Sequence, residues 1–291
     1  MSMNANATLA HLGAGLGYRR EIHDGLMAAR SEVDFLEIIT EKYISASRPG
    51  KDRLVELAEE FTLIPHGVSL SVGSARPLSK TFLRGVKEIC GLVDPPYYSD
   101  HLAVTQSAGI DIGHLSPIAY NEATLRHVVD NVNQVQDHLQ LPFVIENITE
   151  THLIPGSTMP APVFLCEVVR QTGCGMLLDI TNLYTNSVNH GFDALAYARQ
   201  LPLNAVVQVH LAGGVWHNNV LLDSHSQAVP KQVWELFACL RPALHLKGAI
   251  VERDDNYPAF DALLEEVRMA RHVMSGQDSA HRFDAIAEIS G

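Results

Sequence analysis

Gly175-Met-Leu-Leu-Asp179, continued by Ile-Thr-Asn182, is an apolar run that stops on a carboxylate; Ala205-Val-Val-Gln-Val-His210 is a second run that stops on an imidazole. Each reads as a buried strand with a reactive residue at its carboxyl end. Barrel enzymes carry their catalytic groups at that end of their strands. One polar strand ending is ordinary, so its recurrence elsewhere in the chain decides the fold.

Upstream, residues 12–16, 33–39, 61–66, 97–101 and 142–146 read as strands, and downstream so do residues 247–252. Helical patterns fall between them at 18–30, 51–60, 79–91, 121–139, 161–172, 231–239 and 258–273. In the longest, Leu125, Val128, Val129, Val132, Val135 and Leu139 recur at steps of three and four. Parallel neighbours need a crossover element, so eight strands alternating with helices predict an α/β fold. A doubly wound open sheet would alternate too. The even strand count and the polar strand endings favour a single (β/α)8 barrel of the xylose-isomerase-like kind over residues 1–273, with 274–291 a polar, aperiodic tail.

Hydrophobic residues make up 46% of the 291 and charged residues 19%, enough for one sizeable core. Basic residues number 21 and acidic residues 33, and the net charge of −12 argues against a nucleic-acid backbone as the main partner. No apolar run approaches the roughly 18 residues of a membrane span. Residues 1–10 lack the basic start and apolar core of a secretory signal. Four cysteines, with no C-x-x-C pair among them, read as reduced thiols. The expectation is a cytoplasmic protein with neither membrane nor nucleic acid as partner.

The last residues of the third to eighth strands are His66, His101, Glu146, Asp179, His210 and Glu252, and Asp223 and His225 lie in the loop after the seventh. Taken singly, a strand-end histidine is usually a satisfied core group, and Asp179 before a helix is an N-cap. At one barrel mouth, however, three imidazoles and three carboxylates would repel one another or need large pKa shifts. Divalent cations remove that conflict. The set is larger than one ion needs, which points to two or three ions sharing bridging carboxylates.

Other features read as structural. His127 and His138 in the long helix, His11, His272 and His281 read as surface residues, while His190 is left open. Gly13-Ala-Gly15-Leu-Gly17 lacks dinucleotide-loop spacing and reads as a strand and turn needing small residues. His66-Gly-Val-Ser-Leu-Ser-Val-Gly-Ser74 lacks the Gly-Lys of a P-loop, although its backbone could hold an anionic group.

In these residues the chain resembles the multinuclear non-haem iron-dependent oxidative enzymes, a family that includes the methanobactin-biosynthesis oxidase. The matching segments are Gly15–Arg19, His66–Ser74, Ser99-Asp-His-Leu102, Glu146-Asn147, Leu177-Leu-Asp179 with Asn182, Val188–Asp193, His210–Gly213, Asp223-Ser-His225 and Glu252. The resemblance implies two or three irons, mixed Fe(II)/Fe(III), with dioxygen as co-substrate. One ion would take His66, His101 and bridging Glu146; a second would share Glu146 and add Asp179, His210 and Glu252. A third would sit near Asp223 and His225, with Asn182 a ligand or a neighbour of one. The catalytic residues implied are Glu146, Asp179, His210, Asp223 and His225. Members oxidise ribosomally made precursor peptides, often at cysteine or another side chain near the peptide C-terminus, with a small partner protein that presents the peptide. The chain departs from the family's commonest pattern at Thr181, Gly214 and Arg253, which flank the ligands.

Two other readings compete. A zinc-type phosphodiesterase, or more weakly a sugar isomerase, would use the same barrel. Its nucleic-acid form suits the acidic balance poorly, and Asn182 stands where that group tends to carry a third-ion histidine. A peptide-docking metalloprotein without turnover would leave so many ligands around open positions unexplained.

Overall fold

The computed structural model describes residues 9–107, 110–152 and 154–276. Eight parallel strands close into a barrel in chain order: β1 Gly13–Gly17, β2 Phe35–Ile39, β3 Thr62–Gly67, β4 Tyr98–His101, β5 Phe143–Glu146, β6 Gly175–Asp179, β7 Val206–Leu211 and β8 Gly248–Val251. β8 returns to β1 through the register Gly13↔Gly248 to Leu16↔Val251.

Period-two alternation decides what fills the barrel. Phe35, Ile64, Tyr97, Val144, Leu177, Val207 and Ile250 form one fully buried interior layer, with Leu9 and Leu12 packed against it. Two residues further along, toward the carboxyl end, stand Glu37, His66, Ser99, Glu146, Asp179 and Glu252, all buried. The polar site is therefore the layer above an apolar plug. On β7 the pairing with β6 slips between Met176↔Val206 and Leu177↔Gln208. This irregularity at Val207 sets Gln208 beside Leu177 at the level of the plug and His210 beside Asp179 in the polar layer.

β1 gives up side chains so that others fit. A Cβ on Gly15 would lie 2.2 Å from the Phe35 carbonyl oxygen, and one on Gly248 2.7 Å from the Phe35 ring. The glycine-rich stretch is thus a strand whose missing side chains make room for Phe35.

Around the barrel, the helix Glu122–Leu139 buries Leu125, Val128, Val132, Val135 and Leu139. Its first turn is capped by Asn121, whose side chain accepts from the Thr124 amide. Ala161–Thr172, Lys231–Leu240 and Phe260–Met274 fall close to their expected positions. Met274, expected to begin the tail, ends the last helix and is buried; residues 277 onward, the rest of that tail, lie outside the described residues.

Three departures bear on the site. The helix expected over 18–30 starts as a 3-10 turn at Arg20–Ile22 and becomes α-helical only over His23–Ala28, preceded by an extended Arg19 (φ −131, ψ 149) that reaches Asp254. A helix at Ile180–His190 follows β6 directly. Two antiparallel hairpins are inserted at the carboxyl ends of strands, Val104–Ser107 with Ile110–Ser116 after β4 and Gly213–His217 with Val220–Gln227 after β7. Among the described residues no helix is long and apolar enough to cross a membrane.

Candidate metal centre

Strand register sets the level of the side chains. His101 pairs with Glu146, Asp179 with His210, and His66 with Ser99. Their side chains meet over the plug, joined by Glu252 just past β8 and by Asp223 and His225 from the second hairpin. Four overlapping groups result, each with ligand atoms within 4.8 Å of one another: His66–His101–Glu146, Glu146–Asp179–His210, Asp179–His225–Glu252 and Glu37–His210–Glu252. Glu146 belongs to the first two groups and Asp179 to the second and third, as bridging carboxylates would.

Each imidazole is held from behind. His66 Nδ1 lies 2.9 Å from Ser99 Oγ, and His101 Nδ1 lies 3.0 Å from the Gly67 carbonyl. Behind His210, Nε2 faces Glu37 at 3.0 Å, and His225 Nδ1 lies 3.4 Å from Asp254. The other nitrogens turn inward. His66 Nε2 and His101 Nε2 are each 3.2 Å from Glu146 Oε2, and His210 Nδ1 is 3.1 Å from both Glu146 Oε1 and Glu252 Oε2. Yet Glu146 Oε2 and Asp179 Oδ2 are buried without a hydrogen-bond partner. Lone pairs that converge closely without pairing are what a cation site leaves behind, because unpaired buried polar atoms are costly. The residues fit divalent cations.

The electrostatics point the same way. Burial works against the imidazolium of His210, but Glu252, Glu37 and Glu146 push its pKa well above the ordinary value. His225 is raised likewise by Glu252 and Asp223 against the effect of burial. Asp179 is pushed well up, by burial first and then by Glu146 and Asp223. Glu146 and Glu252 move down despite their burial, held by surrounding histidines. His66 moves down because burial prevails there. Without cations, the cluster balances its charge by holding protons.

Asp179 combines two roles that sequence reasoning weighed as alternatives. Its Oδ1 accepts from the Asn182 amide at 2.7 Å and caps the helix, while Oδ2 remains free for a ligand. Asn182 is engaged at both ends of its amide, accepting from the Thr149 hydroxyl and donating to the Asn147 carbonyl at 3.2 Å. It brackets the loop after β5, so ligation through its oxygen competes with Thr149. Asp223 stands at the rim, its Oδ1 2.6 Å from His225 Nε2. His225 itself adopts the left-handed region (φ +47), a strained backbone for a histidine and one that recurs at functional sites.

Three participants were missed. Glu37 is a lone carboxylate within the apolar run Phe35–Ile39, a signal that was available. Arg19 was quoted in a motif without a role; it donates to Asp254 through Nε at 2.8 Å, close behind His225. Asp254 follows Glu252 by two residues and carried no separate signal. His127, read as a surface residue, is exposed on the long helix, and His190, left open, contacts the Glu150 carbonyl at 2.6 Å. The amides of Val68 and Ser69, in the stretch credited with anion binding, donate to the Glu41 carboxylate at 2.7 and 2.8 Å. An internal anion fills that position.

Fold and site define a xylose-isomerase-like TIM barrel with a candidate multi-cation centre at its mouth. The chain belongs to the family described as RiPP precursor modification enzyme MbnB/TglH/ChrH, which matches residues 13–275. RiPPs are ribosomally made, post-translationally modified peptides, so the motif resemblance and the family match agree. The chain is 36% identical over 262 residues to a UPF0276 protein of Anaeromyxobacter sp. (strain Fw109-5), covering 90% of this chain and 93% of that one. It is 37% identical over 258 residues to a UPF0276 protein of Bordetella pertussis (strain Tohama I), covering 87% and 89%. Among solved structures it resembles D-psicose 3-epimerase of Clostridium cellulolyticum H10 in complex with D-tagatose, with TM-score 0.55, 14% identity and coverage of 96% and 98%. The E. coli 3-keto-D-glucoside 4-epimerase YcjR gives TM-score 0.55 at 13% identity, covering 89% and 99%. At these identities the epimerases speak for the fold alone.

Proposed function

We propose that this protein is an iron- and dioxygen-dependent oxidase or oxygenase of a ribosomally made precursor peptide, acting on cysteine or another side chain near the peptide C-terminus. The observation that carries this reading is the set of overlapping imidazole–carboxylate groups with unpaired inward atoms, in a chain of a peptide-modifying family. His66, His101 and Glu146 would hold one ion, and Glu146, Asp179, His210 and Glu252 a second. Asp223 and His225 would hold a third where three are present. Bound iron would supply Lewis acidity and the electrons that dioxygen chemistry needs.

The chain's own residues do the rest. The apolar layer from Phe35 to Ile250 closes the barrel beneath the site and keeps water from entering there. Arg19, kept charged by Asp254 and Glu252 against the effect of burial, balances the acidic rim behind His225. Asp223 and His225, at the more exposed edge with Oδ1 2.6 Å from Nε2, lie where a substrate side chain would enter. A small partner protein holds the remainder of the peptide, since ordering a flexible chain at the mouth alone is entropically unfavourable.

Elemental analysis after anaerobic purification, followed by measurement of dioxygen consumption with and without candidate precursor peptide, tests the proposal. Two to three irons per chain and peptide-dependent dioxygen uptake are expected. Stoichiometric zinc with hydrolysis of a phosphodiester would overturn it and favour the phosphodiesterase reading.

A further inference from the structure

Beneath His210 lies a chain of buried polar groups that the ligand assignment does not use. The Tyr97 hydroxyl donates to Gln208 Oε1, which fixes the orientation of that amide and turns Nε2 toward Glu37. Gln208 Nε2 donates to Glu37 Oε2 at 2.5 Å, and His210 Nε2 approaches the same oxygen at 3.0 Å. The two nitrogens stand 2.9 Å apart because both point at one acceptor. Glu37 is 3% exposed, and Tyr97 and Gln208 are fully buried.

The four imidazoles are not backed alike. His66 and His101 rest on neutral oxygens, Ser99 Oγ and the Gly67 carbonyl. His225 faces Asp254, which is 42% exposed at its side chain and already paired with Arg19. His225 Nδ1 also lies 3.4 Å from buried Glu252, itself in the ligand set, so among the described residues only His210 is backed by a buried carboxylate outside that set that no cationic side chain is seen to pair with. It also differs in which nitrogen turns inward: Nδ1 for His210, Nε2 for His66 and His101, while His225 meets ligand-set carboxylates through both nitrogens.

We infer that Glu37 is a positioning residue, which fixes His210 as the Nε2–H tautomer for ligation through Nδ1 and makes its seat the tightest of the site. A carboxylate behind a ligating imidazole holds the ring orientation and raises the basicity of the other nitrogen, and loss of such a partner costs about ten- to a hundredfold in metal affinity. Glu37 as a direct ligand fits less well, because its carboxylate lies on the Nε2 side while Glu146 and Glu252 lie on the Nδ1 side. The inference rests on the metal-binding part of the proposed function and is independent of iron, dioxygen and peptide.

The test therefore uses Zn(II) and Co(II). Zn(II) is added stepwise to metal-free, 15N-histidine-labelled wild-type protein. The first equivalent should give an imidazole bound through Nδ1 with an exchange-protected Nε2–H, and later equivalents should give Nε2-bound imidazoles. A first equivalent bound only through Nε2 overturns the inference, and this measurement needs no variant. In parallel, Co(II) titration followed by visible absorption compares wild type with Glu37→Gln, which keeps shape and an acceptor but removes the charge. One seat should weaken about ten- to a hundredfold with full stoichiometry at saturation. Ser99→Ala should instead affect the His66 seat. Unchanged affinities in Glu37→Gln overturn the charge argument, and outright loss of one ion at saturation makes Glu37 a direct ligand, which also overturns it. If wild type takes up neither metal, the metal site itself fails and the inference falls with it.

Discussion

Replacing Glu146 with Gln is the most direct perturbation of the site. Glu146 is 1% exposed and its carboxylate lies within 3.2 Å of inward nitrogens from three histidines, His66, His101 and His210. Gln preserves the volume and one acceptor but removes the charge shared between two seats. A unit charge pair about 4 Å apart is worth about 4 kcal/mol at an effective dielectric of about 20. Each divalent seat therefore loses at least that much, or about a thousandfold in affinity. The expected outcome is loss of metal from both the His66–His101 and the His210 seats, and loss of all turnover. Inductively coupled plasma analysis and calorimetric Zn(II) binding read the first, and peptide-dependent dioxygen uptake reads the second. His127→Ala, on the exposed face of the long helix, is the control and should change neither. Full metal retention in Glu146→Gln, or equal effects of both substitutions, would refute the placement of Glu146 at the shared position.

Metal binding should release protons, because His210, His225 and Asp179 all hold theirs more tightly in the metal-free fold than in the unfolded chain. Raised folded-state values mean that the metal-free protein loses stability as pH rises through them, so the Tm gain on adding Zn(II) should grow as pH rises above the ordinary histidine value of about 6.5; a gain independent of pH counts against the proton-balanced site. Gly15→Ala should lower stability by about 1–3 kcal/mol, since its Cβ would sit 2.2 Å from the Phe35 carbonyl, and an unchanged melting curve would mean the barrel yields there. Thr181→Val strands the Ala212 amide and carbonyl that Thr181 Oγ1 satisfies at 2.8 and 3.0 Å, at an expected cost of about 1–3 kcal/mol in chemical denaturation; wild-type stability would show that water or a shift replaces the hydroxyl. Turnover of the iron-loaded enzyme on its precursor peptide should depend on a small peptide-presenting protein, and equal rates without it would show that the barrel captures its substrate unaided.

Much of the barrel was legible because its signal is local. The third to eighth strands are short runs with a ligand-type residue at or beside their end, and β6 was bounded correctly to the residue. The ligand-type residues were legible for the same reason, since strand endings are fixed by the chain and need no knowledge of neighbours. Elements held by distant partners were not. The helix Ile180–His190 is rich in Asn and β-branched Thr, which favour helix poorly. Its formation relies on contacts made after folding: Asp179 caps it, Thr181 grips Ala212, and Asn189 bonds both backbone groups of Leu221. The same helix thereby supports the hairpin that carries Asp223 and His225.

Glu37 shows where strand-by-strand reading runs out. Its position in β2 marks it as a charge in an apolar strand, but a ligand and a ligand's support look the same in one dimension. What separates them is which face of His210 it meets, and that depends on the irregularity at Val207, which brings His210 into the polar layer. The pairing shift arises between β6 and β7, while Glu37 stands on β2, so no window of sequence contains both. The distinction has a functional edge. Had β7 kept regular register, alternation from Val207 would have placed Val209 in the polar layer, and the carboxylates of Glu37, Glu146 and Glu252 would have faced one another without the imidazole that now separates them. A single backbone irregularity thus turns an unstable cluster of buried acids into a seat that a cation can complete.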